Sequence, residues 1–169
     1  MLTIRDAVPE DAAGILPFYN HAVSETTAVW TDELSDVAGR EAWLAARAES
    51  GFPVLVAEID GQVAGFASFG DFRAWPGYRF AVEHSIYVAP DRHRLGIGRA
   101  LLGALIERAR GQGKHAMIAG VEGGNAGSIA LHESFGFREV GRLPQVGAKF
   151  GRWLDLVFMH LMLDDRTAP

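Results

Sequence analysis

Apolar Leu2 and Ile4 are separated by polar Thr3 and followed by polar Arg5 and Asp6, and Leu2 to Asp6 reads as a short first strand. Pro9, Glu10 and Asp11 then give the acidic, proline-bearing start of a helix in which Ile15, Phe18, Tyr19 and Ala22 recur at helical spacing, although Pro17 stands inside it. A second helix is predicted over Ser35 to Ser50, with Ser35 as its cap, Val37, Trp43, Leu44 and Ala48 as its apolar positions, and Gly51 as its stop. The period then changes to that of strands. Pro53 to Ile59 and Gln62 to Phe69 flank Asp60-Gly61, a dipeptide suited to the positive φ angles of a tight hairpin.

Gly70 to Tyr78, GDFRAWPGY, breaks the periodicity without becoming a polar linker and reads as a functional loop. Val82 to Val88 is the next strand. After a basic, glycine-punctuated loop, Leu101, Leu102, Leu105, Ile106 and Ala109 make one helical stripe that Gly111 and Gly113 end. His115 to Val121 is strand-like, and Asn125 caps a short helix ending near Phe135-Gly136. Phe137 to Val140 and Trp153 to Leu163 are the last two strands, and Trp153 is expected to be buried. The order β-α-α-β-β-β-α-β-α-β-β puts antiparallel hairpins first and a strand-helix-strand crossover in the middle. It predicts an α/β fold of mixed, mostly antiparallel sheet with helices on its faces, in one domain over residues 1–169.

Composition narrows the function. A chain of 169 residues with 49% hydrophobic residues can build one packed core, and a net charge of -5 gives no global basic field for nucleic acid. There is no cysteine for a disulfide or a thiolate metal site, and the six histidines, at 21, 84, 93, 115, 132 and 160, lack ligand spacing, so no metal is expected. The opening MLTIRDA lacks a signal peptide's basic and apolar regions, and no apolar run approaches the roughly 20 residues of a spanning helix. A soluble, cytoplasmic protein without membrane partners is the expectation.

The chemistry concentrates between Glu83 and Leu101, EHSIYVAPDRHRLGIGRAL. Glycines in His93 to Arg99 let backbone N–H groups approach a phosphate, the following helix start offers donors and a positive dipole end, and Arg92, Arg94 and Arg99 add charge. A plain strand-helix turn would use the same glycines only to relieve strain. A dinucleotide fingerprint fits poorly, because the acidic residue it requires about 20 positions later is replaced by His115-Ala116-Met117. A P-loop fails as well, since Arg108 stands where its first glycine belongs before Gly113-Lys114.

Ser85-Ile86-Tyr87-Val88 followed by HRLGIG resembles the acyl-CoA-binding motif of the GNAT N-acetyltransferase superfamily, with His93 at a position usually Gln or Arg. The segment Asn125 to Phe137 resembles the same family's second signature. TTAVW at Thr26 to Trp30, GDFRAWPGYR, VEHSIYV and VGAKFGRWLDLVFM are similar to the phosphinothricin and methionine sulfoximine acetyltransferases. The resemblance implies an acetyl-CoA-dependent enzyme that acetylates the amine of a small amino-acid analogue in a ternary complex, and it implies a homodimer. Other amine acceptors, or a CoA-binding module without turnover, stay open as alternatives.

By that resemblance Glu83 is the general base and the Val88 N–H the oxyanion donor. Ile86, Tyr87, Val88, Arg94, Leu95, Gly96, Ile97, Gly98 and Arg99 hold the cofactor on one side, and Asn125, Ser128 and His132 on the other. Those last three share one helix face. His132 takes the slot often held by the tyrosine that protonates the thiolate, and histidine can donate there or simply bond the pantetheine arm. Arg73 and Arg79 flank Trp75 and Tyr78 and suit a carboxylate or phosphinate. Trp30 and His84 are candidate pocket walls. Lys149, Arg152 and Trp153 are candidates for the same pocket or for a subunit contact.

Overall fold

The computed structural model describes residues 1–169. Its elements follow the expected order: β1 (Leu2–Asp6), α1 (Ala12–Glu25), α2 (Val37–Glu49), β2 (Val54–Ile59), β3 (Gln62–Asp71), β4 (Ala81–Val88), α3 (Ile97–Gly111), β5 (Ala116–Glu122), α4 (Ala126–Glu133), β6 (Arg138–Lys149) and β7 (Arg152–Met162). The strands form a seven-stranded mixed sheet in the order β1-β2-β3-β4-β5-β7-β6. The β4–β5 pairing is parallel, as the α3 crossover between them requires. The chain packs as two compact units, Met1–Phe69 with Ser85–Leu105 and Gly70–His84 with Ile106–Pro169.

In the first unit, Ala12, Ile15, Leu44, Val54, Val56 and Phe66 form a buried cluster covered by Phe18, Tyr19, Trp43 and Tyr87. Pro17 does lie inside α1, where a proline costs about 3 kcal/mol. Full burial of Ile15 and Val23 on the same helix offsets it, at about 1.5–3 kcal/mol each. The helix is tied to β1 by Arg5, whose guanidinium donates to both Asp11 oxygens at 2.7 and 2.9 Å and holds the Asp11 carboxyl below its ordinary pKa. The α2 cap is Asp36 and not Ser35: the Asp36 carboxylate accepts from the Gly39 N–H at 2.7 Å. Ser35 is occupied elsewhere, its hydroxyl accepting from Arg40 and its backbone clamped by the Asn20 side chain. Asp60 and Gly61 have φ of 53° and 79°, as the hairpin between β2 and β3 demands. Gly65 on β3 is a close approach, since a Cβ there would lie 2.8 Å from the Tyr87 carbonyl oxygen.

In the second unit, β5 lies between β4 and β7, and β7 pairs with β6. The sixth strand runs far beyond the Phe137 to Val140 expected from sequence. Its residues are mostly exposed, so no apolar period marks it, and Pro144 and two glycines look like breakers. The ladder absorbs them with register shifts at Glu139/Gly141 and Leu143/Gly147, while the Asp155 carboxylate accepts from the Gln145 N–H at 2.9 Å. Trp153 is 68% exposed, contrary to the expectation of burial. It occupies an outward position beside the β6–β7 turn, where Phe150 and Gly151 have positive φ. No helix is long and apolar enough to cross a membrane.

Candidate active site

The first unit carries the glycine loop. Arg94 and Gly96 have φ of 65° and 79°, and α3 opens at Ile97-Gly98. Ile97, Leu101, Leu102 and Leu105 are buried, which anchors the helix. Its first turn therefore presents backbone donors from a fixed position. Leu95 is exposed, and so are Arg94 and Arg99. His93, in the unusual motif position, reaches back so that its Nε2 lies 3.3 Å from the Val88 carbonyl oxygen, bracing the strand end against the loop. Ile86, Tyr87 and Val88 are half-buried on β4. Tyr87 stacks on Phe66 at 4.8 Å and meets Tyr19 edge-on, so its ring belongs to the core. Trp30 is half-buried, its indole N–H donating to the Thr27 carbonyl at 2.8 Å. Such a loop, with two positive-φ residues leading into a buried helix start, fits a pyrophosphate-bearing cofactor.

The second unit carries the carboxylate. Glu83 stands opposite Ile118 in the parallel pairing and is half-buried. Burial pushes its carboxyl above the ordinary value, and the Arg73 charge pulls it partly back. Arg73 is held over the Phe72 ring at 4.1 Å and donates to the Phe72 carbonyl at 2.7 Å. Phe72 is itself wedged edge-on against Tyr78 and Phe158. Arg79 turns to the Phe80 ring at 4.6 Å and to the Pro76 carbonyl. Trp75 is 76% exposed on the loop. Lys149 is buried with its ammonium 5.0 Å from the Phe150 ring, whereas Arg152 is exposed.

Two features escape the sequence reading. A Cβ added to Gly120 would meet Glu83 Oε1 at 3.0 Å, so the carboxylate rests where a side chain is missing. A lone glycine inside the β5 run AMIAGVE is the available signal for such a close approach. Gly120→Ala is expected to leave the fold intact, because a carboxylate tip moves easily, yet to lower kcat by roughly 3- to 10-fold through displacement of Glu83. Steady-state kinetics alongside a melting curve would check this.

The second feature is a contact between His84 and His132, whose Nε2 atoms are 3.1 Å apart, with ring centroids 5.1 Å apart, ring planes inclined by 25° and Phe137 edge-on to both. Both histidines are buried, and burial depresses their basicity, that of His84 to about 3. His84 repeats in phase with buried Val82 along β4, which marks it as inward-facing. On α4, the Asn125 side chain accepts from the Ser128 N–H at 3.0 Å, the cap expected from sequence. His132 Nδ1 lies 2.6 Å from the Ser128 carbonyl oxygen. No group of acidic residues, histidines and cysteines is arranged to hold a metal ion.

The chain as a whole is similar to known proteins. Residues 15–137 match the model of the Acetyltransferase (GNAT) family. An L-methionine sulfoximine/L-methionine sulfone acetyltransferase of Salmonella typhimurium is 54% identical over 99% of this chain and 98% of its own length. A Salmonella typhimurium acetyltransferase solved with its cofactor acetyl-CoA superposes with a TM-score of 0.97 at 54% identity, covering 99% of this chain and 97% of that one. A Sinorhizobium meliloti phosphinothricin acetyltransferase solved with acetyl-CoA gives a TM-score of 0.95 at 37% identity, covering 99% and 91%. A fold, a loop and near-full-length relatives at half identity agree, and the chain belongs to the GNAT acetyltransferase family.

Proposed function

We propose that this protein is an acetyl-CoA-dependent N-acetyltransferase for the amino group of a small anionic amino-acid analogue, such as L-methionine sulfoximine, L-methionine sulfone or phosphinothricin. The observation that carries the reading is the half-buried Glu83 carboxylate lodged against Gly120 under the influence of the Arg73 charge. The relatives' substrates support the same class. Acetyl-CoA supplies an acetyl group activated as a thioester, whose sulfur departs readily because a thiol is far more acidic than an alcohol or an amine. Glu83 takes the proton that the acceptor ammonium must lose before its nitrogen can bond the acyl carbon. Its raised pKa brings it nearer to that of an amine and makes it a more effective base. The Val88 N–H donates to the acyl oxygen as charge develops there; the C–S bond then breaks, and the further proton that the bonded nitrogen sheds neutralises the departing CoA thiolate.

The backbone and side chains of Arg94 to Arg99 hold the phosphates, with Ile86 and Tyr87 along the cofactor, and Asn125, Ser128 and His132 on α4 border its arm. Arg73 pairs with the acceptor's carboxylate, while Trp30, Trp75 and Arg79 bound the acceptor region. A cationic acceptor, polyamine or aminoglycoside, is disfavoured by Arg73. We further propose one domain over residues 1–169, acting in the cytoplasm as a homodimer. Near-full-length relatives support the single domain. The exposed Val140, Val146, Phe150 and Trp153 of the β6–β7 hairpin support a subunit contact. Acetylation of phosphinothricin would give herbicide resistance.

The test is thiol release from acetyl-CoA with a panel of acceptors. Turnover with methionine sulfoximine, methionine sulfone or phosphinothricin well above that with spermidine or an aminoglycoside is the expected pattern. A rate no higher than acetyl-CoA hydrolysis with all the amino-acid analogues would overturn the reading.

A further inference from the structure

Hydrogen placement at the buried histidine pair follows from elementary bonding. A carbonyl oxygen only accepts, so at 2.6 Å from the Ser128 oxygen His132 Nδ1 must carry a proton. Burial keeps the ring neutral, and a neutral imidazole protonated on Nδ1 has only a lone pair on Nε2. That lone pair faces His84 Nε2 at 3.1 Å, so His84 is the donor and carries its own proton on Nε2. His84 Nδ1, a buried acceptor with no hydrogen-bond partner, ends the chain. The order is therefore His84 to His132 to the Ser128 carbonyl, with every N–H committed inside the protein.

We propose that His84 is a positioning residue, which locks His132 as the Nδ1–H tautomer and pins α4 to β4 one residue from Glu83. In this arrangement His132 has no proton to give a departing thiolate, since its single N–H belongs to the Ser128 carbonyl. Its job, and that of His84, is mechanical. The pair fixes where α4 presents Asn125 and Ser128, and Phe137 holds both rings edge-on so that neither can turn freely. The buried polar pair is explained by directionality: two rings inclined by only 25° and joined edge to edge by one hydrogen bond have a single register, whereas two leucines would slide.

The functional half of this assignment rests on the proposed acetyl-CoA reading, so the test has an arm independent of turnover. In protein labelled with ¹⁵N-histidine, long-range ¹H–¹⁵N correlations at pH 7 should show His132 neutral and protonated on Nδ1, with His84 neutral and protonated on Nε2. A His132 that is charged, or protonated on Nε2, overturns the proposal whatever the enzyme acetylates. In the kinetic arm, His84→Gln keeps an N–H donor near the Nε2 position and His84→Leu removes it. His84→Leu should raise the acetyl-CoA KM about tenfold, the scale of one lost buried hydrogen bond, with the acceptor KM changed less than about twofold. His84→Gln should recover most of that loss. Equal KM values in wild type and His84→Leu, or equal loss in both variants, would overturn it. If His84→Leu fails to fold, the tautomer measurement decides.

Discussion

Glu83→Gln should lower kcat by roughly 10²- to 10⁴-fold, the usual contribution of a positioned general base, while acetyl-CoA still binds. Glutamine keeps the size and one hydrogen-bonding oxygen, so the carboxamide can still rest against Gly120 and the second unit should remain folded. What it loses is the capacity to take a proton. The same group sets a pH dependence whose sign is fixed. Burial raises the Glu83 pKa, so the carboxylate form is lost on acidification at a higher pH than for an exposed glutamate. The acidic limb of kcat should lie above the ordinary glutamate value and vanish in Glu83→Gln. Arg73→Gln should shift that limb further upward, because it removes the charge that favours the ionised form. Rate profiles of the three proteins would check both statements, and an unchanged kcat in Glu83→Gln would remove Glu83 from the chemistry.

Gly96→Val should weaken acetyl-CoA binding about tenfold or more. The cause is conformational and not steric: space around Gly96 is open, but its φ of 79° is one that a β-branched residue adopts only with strain of about 1–3 kcal/mol. Relaxing that strain moves the backbone that leads into α3 and redirects the first-turn donors. Isothermal titration with acetyl-CoA would measure the change. Unchanged affinity would contradict the placement of the cofactor loop. Stability should fall only by the strain itself, because Ile97 and Leu101 keep the helix buried.

How much of this could be read from the sequence varies by element and for physical reasons. Element order was legible because β2 and β3, buried on both faces, read as short apolar runs bounded by turn residues, and α3 carries one clean apolar stripe. The Asp60-Gly61 turn and the Asn125 cap were legible because few residues tolerate those geometries. The true extent of β6 was not, since an exposed strand with a proline has no period to detect. Trp153 lies outside where apolarity predicts burial, because side-chain apolarity says nothing about which face of a hairpin meets solvent. Within the candidate site, Glu83 and the glycine loop could be picked out by spacing and resemblance. The Gly120 gap and the His84–His132 bond could not, because both depend on which strand neighbours which and on where an imidazole proton lies. Arg73 and Arg79 diverge in the fold: the Arg73 charge acts on Glu83, while Arg79 turns to the Phe80 ring and the Pro76 carbonyl, a difference their common loop does not reveal.

Direct acetyl transfer to an amino-acid amine, with Glu83 as base, joins product formation and thiol release in one event. Mass spectrometry of L-methionine sulfone incubated with acetyl-CoA, run in parallel with wild type and Glu83→Gln at matched cofactor occupancy, tests it most directly. N-acetylated product equimolar with released thiol is expected in wild type, with a loss of at least about 100-fold in the variant. Thiol release without acetylated sulfone, or equal product from both proteins, would contradict it.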